Sequence, residues 1–209
     1  MRRSLALLAA LAAAAVAAVP AWAHGDPAGD YLVDHEVFFP LYAPLAEQEQ
    51  LRLSALVREA NAKGYPIRVA LIATPRDLGT EGRLWRKPQD YAVDLDQDLV
   101  YYFKGRLLVA MPNGFGIVHP KHGVAPEAAL LGRVRPGATP AALAAATTRA
   151  IERLAAAQGI HVAPPAHVTT PAQRNRRDRI VIALAVVAAL VLWRAARLVV
   201  SRRSAAASA

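Results

Sequence analysis

The chain has 209 residues, no cysteine and a formal net charge of +9. Its length allows one domain with a sizeable core, and the lack of cysteine excludes disulfides, thiolate catalysis and metal sites with cysteine ligands. Residues 24–173 carry 15 basic and 15 acidic side chains, so the excess of arginine lies near the two ends. Basic segments at the two ends suit binding to anionic lipid headgroups, and we expect no nucleic-acid partner.

The N terminus has the features of a secretory signal peptide. Two arginines precede an apolar run that ends at Val19, and small residues around Ala23 form a cleavage site. We predict a signal peptide over residues 1–23 and an extracytoplasmic domain over residues 24–162. The arginine pair leaves the twin-arginine export route open beside ordinary secretion.

The first half of this domain is predicted to contain one helix and one buried strand. Apolar residues at helical spacing indicate an amphipathic helix over residues 47–63, which Gly64 ends. The run over residues 67–73 is β-branched and almost wholly apolar, which is typical of a strand covered on both faces. Residues 74–83 are predicted to form a loop.

The second half begins with another helix and strand. A helix is predicted from Pro88 to Lys104, with the apolar face formed by Tyr91, Leu95, Leu99 and Tyr102. Residues 106–111 indicate a second buried strand. A strand, a helix and a strand joined by short links form a right-handed unit with parallel strands.

The remaining elements are a turn and two helices. In the stretch VAMPNGFGIV, residues 109–118, Pro, Asn and Gly suit a hairpin turn better than a phosphate-binding loop, because strand-like residues rather than a helix follow. Gly116 then marks a bulge or a close backbone approach. A short helix is predicted near 126–131 and a longer one from Thr139-Pro140 to Gly159. The predicted fold class is α/β, with a small, mostly parallel central sheet between helices.

The C-terminal part is predicted to anchor the chain in a membrane. Residues 163–178 form a Pro- and Arg-rich tether. The uninterrupted apolar run of residues 180–193 spans about 21 Å as a helix, and its continuation to residue 200 brings the length to about 31 Å. We predict one transmembrane helix over residues 179–200, with the bilayer lipid as partner and a short cytoplasmic tail over residues 201–209. The expected location is the cell membrane, single-pass, with the domain outside.

Several segments carry a resemblance to a known family. They are Asp30-Tyr-Leu-Val-Asp34 before a helix that ends in Gly, Ile72-Ala-Thr74, Tyr91-Ala92, Gly105-Arg-Leu-Leu-Val109 and Gly114-Phe-Gly116. In this order they resemble the TPM domain family of thylakoid-lumen, photosystem-repair and bacterial membrane-anchored proteins, over residues 30–160. The resemblance implies an α/β sandwich and a role in assembly or repair of membrane complexes, with phosphatase activity ascribed to a plant member. After Gly116, Ile-Val-His-Pro replaces the usual acidic continuation, so no metal or catalytic role is carried over.

Acidic residues on the second helix offer a partner-binding surface. Asp90, Asp94 and Asp98 are spaced to form a ridge on one helix face. The surrounding D-x-D-x-D pattern matches the first residues of an EF-hand loop. The Gly and the final Glu of such a loop are missing, so no calcium loop is predicted. The ridge is either a solvated face or a docking surface for a basic partner or a weak cation site.

Histidines give no metal prediction. His119 and His122 could share a metal with His161, and His24 could bind copper at the mature N terminus, but neither set has a fixed third ligand. We therefore predict no metal and no cofactor.

Candidate ligand-binding residues follow from topology. Ligands in open α/β sheets bind at the carboxyl ends of the strands, where Arg76, Asp77 and Asn113 are predicted to meet. The alternative is that Arg76 and Asp77 only cap a loop. If the chain is an enzyme, it is a phosphoester hydrolase, for which Asp77 and Asp34 are the catalytic candidates. The favoured function is a binding module that assists assembly, repair or modulation of a membrane or envelope protein complex.

Overall fold

The computed structural model describes residues 25–166 and residue 168. The helices are α1 (Pro27–Leu32), α2 (Glu47–Ala62), α3 (Pro88–Leu99), α4 (Ala125–Leu131) and α5 (Pro140–Ala157). The strands are β1 (Val37–Phe38), β2 (Ile67–Leu71), β3 (Arg106–Met111) and β4 (Gly114–Val118). A 3₁₀ segment covers Pro75–Leu84 and is kinked at Gly79, whose backbone is not helical. All of these elements belong to the first of two units into which the chain divides, with the boundary after Pro164.

The four strands form one small mixed sheet in the order β1-β2-β3-β4. The β1–β2 and β2–β3 pairs are parallel and the β3–β4 pair is antiparallel. This confirms the α/β class and the hairpin turn predicted at residues 112–114.

Both faces of the sheet are covered, as the apolar composition of its strands predicted. Along β3, Leu108 and Ala110 pack into a core with residues of α2, α4 and α5. Their neighbours Leu107, Val109 and Met111 pack into a second core with residues of α1, the 3₁₀ segment and α3. Successive side chains of a strand point to opposite faces, so a strand with both faces buried has an uninterrupted apolar sequence.

The close approach predicted at Gly116 is confirmed. A Cβ atom at this position would lie 2.0 Å from the carbonyl oxygen of Pro88 at the start of α3. The side chain of Gln89 bonds the backbone N–H and C=O of Ile117, both at 3.0 Å, and so pairs the outer edge of β4. Helix α3 is therefore fastened directly to the edge of the sheet.

The end predicted for the second helix is wrong. Helix α3 stops at Leu99, five residues before Lys104, because the N–H groups of Tyr102 and Phe103 both bond the Leu99 carbonyl at 2.9 Å and tighten the last turn. Tyr102, predicted in the apolar face, is 62% exposed. After this turn, the guanidinium of Arg68 lies over the Phe103 ring at 4.6 Å from its centre.

Three elements were not predicted. Helix α1 and strand β1 are too short to show a periodic pattern. The predicted loop at 74–83 instead forms the 3₁₀ segment, because Thr74 and Asp77 form a reciprocal capping box.

Several predicted segments lie outside the described residues. They are the signal peptide, the transmembrane helix, the tail and most of the tether. In the part of the chain that is described, no helix has the length and apolar character needed to cross a membrane.

Candidate functional site

A cleft rich in carboxylates lies between α1, the 3₁₀ segment and the end of α3. Five acidic residues line it, together with two tyrosines from the turn after α3: Asp26, Asp30, Glu81, Asp94, Asp98, Tyr101 and Tyr102. Its volume is about 580 Å³. We call it the acidic cleft.

The first wall of the acidic cleft depends on the start of α1. Asp26 caps this helix by accepting a hydrogen bond from the N–H of Ala28 at 3.0 Å, and Pro27 suits the first helical position. The carbonyl of Gly25 accepts a hydrogen bond from the N–H of Thr80 at 2.7 Å. Gly79, with φ +55°, allows this contact because it has no side chain. A Cβ atom at this position would lie 2.0 Å from the Gly25 oxygen.

The second wall is the exposed side of α3. Asp94 and Asp98 are one helical turn apart and both line the cleft. Arg83 pairs with Glu81 at 2.7 Å, and its guanidinium lies 4.0 Å from Asp94. This arginine is 70% exposed and partly balances the negative charge at the rim.

Asp26 is the buried carboxyl group of the acidic cleft. Its Oδ1 atom accepts hydrogen bonds from Ala28 N–H and from the Tyr91 hydroxyl, the latter at 2.7 Å. Oδ2 is buried and has no hydrogen-bond partner among the described residues. Burial raises the pKa of Asp26 from its ordinary 3.8 to about 6, against the lowering effect of the Tyr91 hydroxyl and the N–H groups of Ala28 and Gly29, and the negative charge of Asp98 adds a smaller rise.

Gly29 lies close to the carboxylates of Asp26 and Asp98. A Cβ atom at Gly29 would lie 3.5 Å from Oδ2 of Asp26 and 3.5 Å from Oδ2 of Asp98, which is ordinary van der Waals contact. Gly29 itself is buried, so both carboxylates pack near the backbone of α1.

The chemistry of the acidic cleft suits cations. Carboxylates form charge-assisted hydrogen bonds with ammonium and guanidinium groups, and aromatic rings attract the same groups through their π faces. Tyr101 is 88% exposed and Tyr102 is 62% exposed, so both rings are open to a ligand. The arrangement can bind a basic side chain or a basic segment of another protein.

Asp77, predicted to bind a ligand or to act in catalysis, is completely buried. Oδ1 accepts hydrogen bonds from the N–H groups of Leu41 and Tyr42, at 2.9 and 3.1 Å. Oδ2 accepts bonds from Ala73 N–H, Thr74 N–H and the Thr74 hydroxyl, at 3.1, 2.7 and 2.9 Å. Both oxygens thus bond loop donors and join the end of β2 to residues 41–42.

The other two predicted ligand-binding residues point elsewhere. Arg76 is exposed although its neighbour Asp77 is buried. The side-chain amide of Asn113 donates to the Arg86 carbonyl at 2.7 Å. Within residues 25–166, no hydrogen bond or ion pair joins Asn113 to Arg76 or Asp77, so the three are not brought together by direct contact.

The remaining acidic candidates are divided between two surfaces. Asp34 is exposed and lines a separate cavity of about 480 Å³ beside His35 and Arg58. Of the predicted ridge, Asp94 and Asp98 line the acidic cleft, whereas Asp90 is exposed outside it. Two of the three predicted ridge residues therefore line the cleft.

The histidines form a small cluster of their own. The rings of His119 and His122 stack at 4.1 Å beside the buried ion pair of Arg106 and Glu127, whose atoms are 2.6 Å apart. Burial lowers the pKa of His119, and the charges of Arg106 and His122 lower it further. His161 does not line this cavity. Among the described residues, no three His, Asp or Glu side chains are grouped as metal ligands.

Asp26 and the two tyrosines of the acidic cleft were not predicted as site residues. The pair Asp26-Pro27 is itself a helix-start signal and could have revealed α1. Nothing in the local sequence of Tyr101 and Tyr102 marks their exposure, because it results from the early end of α3.

Comparison with known proteins adds no information about the site. No family model, curated protein or solved structure matches the chain.

Proposed function

We propose that this chain is a membrane-anchored extracytoplasmic binding module whose acidic cleft engages a basic segment of another membrane or envelope protein. The anchor and the export signal in this proposal come from the sequence. The resemblance to the TPM family suggests assembly, repair or modulation of a membrane protein complex as the purpose of the interaction.

One observation carries the proposal. Five carboxylates from three separate elements converge with two exposed tyrosines on one cleft, and one exposed arginine pairs with two of them. Like charges brought together in this way repel each other. A cationic partner relieves that repulsion, and electrostatic attraction also raises the rate at which such a partner associates.

The phosphoester hydrolase is the weaker proposal. A general base or nucleophile must reach the reacting atom, and both oxygens of Asp77 already bond backbone or hydroxyl donors in a buried position. Asp34 lies on a different cavity from the acidic cleft. These positions support a binding function over a hydrolytic one.

Site-specific photocrosslinking tests the binding function. The full chain carries p-benzoylphenylalanine in place of Tyr101 and is irradiated in intact membranes of the organism that makes it. We expect one recurrent protein adduct at position 101. The matched control replaces Tyr42, an exposed tyrosine that does not line the cleft and is 59% exposed. Equal adducts at both positions, or adducts with lipid alone, would contradict the proposal.

A further inference from the structure

The outer edge of β4 is paired at Ile117 but not at Phe115. Gln89 bonds the N–H and C=O of Ile117 from outside the sheet, and in an antiparallel ladder these groups point to the same side at every second residue. The carbonyl of Ala110, opposite Phe115, accordingly accepts a hydrogen bond from Ile72 on the far side of β3, at 2.9 Å. The N–H and C=O of Phe115 therefore point away from β3, and no described residue bonds them.

A groove lies beside this unpaired position. It is formed by β4, by α4 and by the residues that follow α4, and its volume is about 320 Å³. Leu131 and Val134, 4% and 7% exposed, form an apolar part of its wall, and Phe115 lines it from the strand. We call it the β4 groove. An open strand edge beside such a groove is the arrangement to which extended peptides add as a further strand.

The charge of the β4 groove is positive. Arg135 lines the groove and is exposed, and the described residues that line it include no Asp or Glu. No carboxylate of the described residues forms an ion pair with Arg135. A guanidinium group binds a carboxylate through charge-assisted hydrogen bonds. The β4 groove is thus opposite in charge to the acidic cleft.

The backbone of Phe115 selects the kind of ligand. A residue of an extended chain has its own N–H and C=O, so it can donate to the Phe115 carbonyl and accept from the Phe115 N–H. Because Gln89 already bonds Ile117, this pairing is confined to a short segment of the ligand. The affinity must therefore depend strongly on the ligand's side chains.

We propose that the β4 groove binds an extended acidic segment of a partner protein, which pairs with the backbone of Phe115 and places an Asp or Glu side chain against Arg135. Side chains of an added strand alternate between its two faces, so an apolar side chain of the segment can contact Leu131 and Val134. This site is separate from the acidic cleft and goes beyond the proposed function.

The test measures the affinity of the purified full-length chain, in neutral detergent, for three fluorescent hexapeptides with amidated C termini. The first is Thr-Val-Thr-Val-Glu-Glu, the second ends in two glutamines instead, and the third is the acidic peptide with methylated backbone nitrogens. We expect the acidic peptide to bind about tenfold more tightly than the glutamine peptide, since hydrogen bonds to a charged group account for roughly that ratio. The methylated peptide should not bind, because it has no backbone N–H to donate.

Arg135→Gln and Arg133→Gln form a matched pair of variants. Both arginines are exposed and two positions apart, but only Arg135 lines the β4 groove. We expect Arg135→Gln to weaken binding of the acidic peptide about tenfold and to remove its advantage over the glutamine peptide. Arg133→Gln should leave both affinities unchanged.

Phe115→Pro and Phe115→Ala separate the backbone of this residue from its ring. Both variants lack the ring, whereas only proline lacks the N–H, and an edge strand tolerates proline where the N–H faces outward. We expect Phe115→Ala to bind the acidic peptide and Phe115→Pro not to bind it. Thermal unfolding shows whether each variant is folded, and the methylated peptide tests the same pairing without any variant.

Four results would overturn the proposal. They are failure of the acidic peptide to bind, equal binding of the glutamate and glutamine peptides, undiminished binding by folded Phe115→Pro, and a dimer in analytical ultracentrifugation that Phe115→Pro dissociates. The last would show that a second copy of this chain occupies the edge of β4. The photocrosslinking test at Tyr101 is independent of these results, so the function proposed for the acidic cleft would still stand.

Discussion

The hydroxyl of Tyr91 donates a hydrogen bond to Oδ1 of Asp26 at 2.7 Å, across 65 residues of sequence. Tyr91 is completely buried within α3, and Asp26 caps α1. The bond therefore joins the two helices that form opposite walls of the acidic cleft. It also occupies Oδ1 of the buried Asp26 carboxyl group, whose Oδ2 has no hydrogen-bond partner among the described residues.

Tyr91→Phe tests this relationship. The change keeps the buried ring and removes one donor from a buried carboxyl group, so we expect the free energy of unfolding to fall by about 1–3 kcal/mol. Urea denaturation measures the effect. Tyr101→Phe removes a hydroxyl group from an 88% exposed ring and should leave the stability unchanged. Equal stability of Tyr91→Phe and the unaltered chain would show that the bond contributes nothing.

The raised pKa of Asp26 should make the free energy of unfolding depend on pH. Its pKa is about 6 in the folded chain and 3.8 ordinarily, so the folded state holds the proton more tightly than the unfolded state. The contribution of this group to the free energy of unfolding is fully present below pH 3.8 and is lost as the pH rises through 6. Because one pKa unit corresponds to about 1.4 kcal/mol, the loss amounts to roughly 3 kcal/mol.

Asp26→Asn provides the comparison for that profile. Subtracting its free energy of unfolding from that of the unaltered chain at each pH removes the contributions common to both proteins. One of these is His119, whose lowered pKa makes stability fall as the pH falls, in the opposite direction. We expect the difference to decline between about pH 4 and pH 7 with metal chelated. A difference that is constant across this range would contradict the buried position of Asp26.

Asp77→Asn should act on stability. Its five hydrogen-bond donors would meet an amide group that supplies one acceptor oxygen and a competing NH₂ group. We expect a loss of about 3 kcal/mol or more in the free energy of unfolding, since buried donors are left unpaired. Arg76→Ala, at the exposed neighbouring position, should change stability by about 0.5 kcal/mol at most. An Asp77→Asn chain of unchanged stability would return Asp77 to the list of catalytic candidates.

Gly116→Ala tests the contact between β4 and α3. The added Cβ atom would lie 2.0 Å from the backbone oxygen of Pro88, which cannot move without shifting the helix. Overpacking of this kind costs about 1–3 kcal/mol, measurable as a lowered midpoint of thermal unfolding. Gly123→Ala is the matched control, because a Cβ atom there has no neighbour within 4 Å. Two variants of equal stability would contradict the close approach.

The elements that could be predicted are marked by residues close to them in the sequence. Strand β3 was predicted with both of its ends, residues 106 and 111, because an apolar run is bounded by Gly105 and Pro112. Helix α5 was predicted from its cap, and the Thr139 side chain does accept a hydrogen bond from Ala142 N–H at 3.2 Å. In both cases the information lies within a few residues of the element.

The candidate site depended on contacts between distant residues. Asp77 follows a strand and was predicted to face a ligand, but its partners at residues 41–42 are 35 and 36 positions away. Asp26 gains its significance from Tyr91 and Asp98, which no periodic pattern connects with it. The predicted acidic ridge lies on α3, which forms one wall of the acidic cleft. The wall formed by α1 was not part of that prediction.

Charge reversal on α3 in the photocrosslinking experiment shows whether the negative charge of the acidic cleft holds a basic partner. Asp94→Lys and Asp90→Lys change the same charge on the same helix, one turn apart, but only Asp94 lines the cleft. With the photoreactive residue at position 101, we expect Asp94→Lys to abolish the protein adduct and Asp90→Lys to preserve it. An adduct of equal yield in both variants would contradict binding through the charge of the cleft.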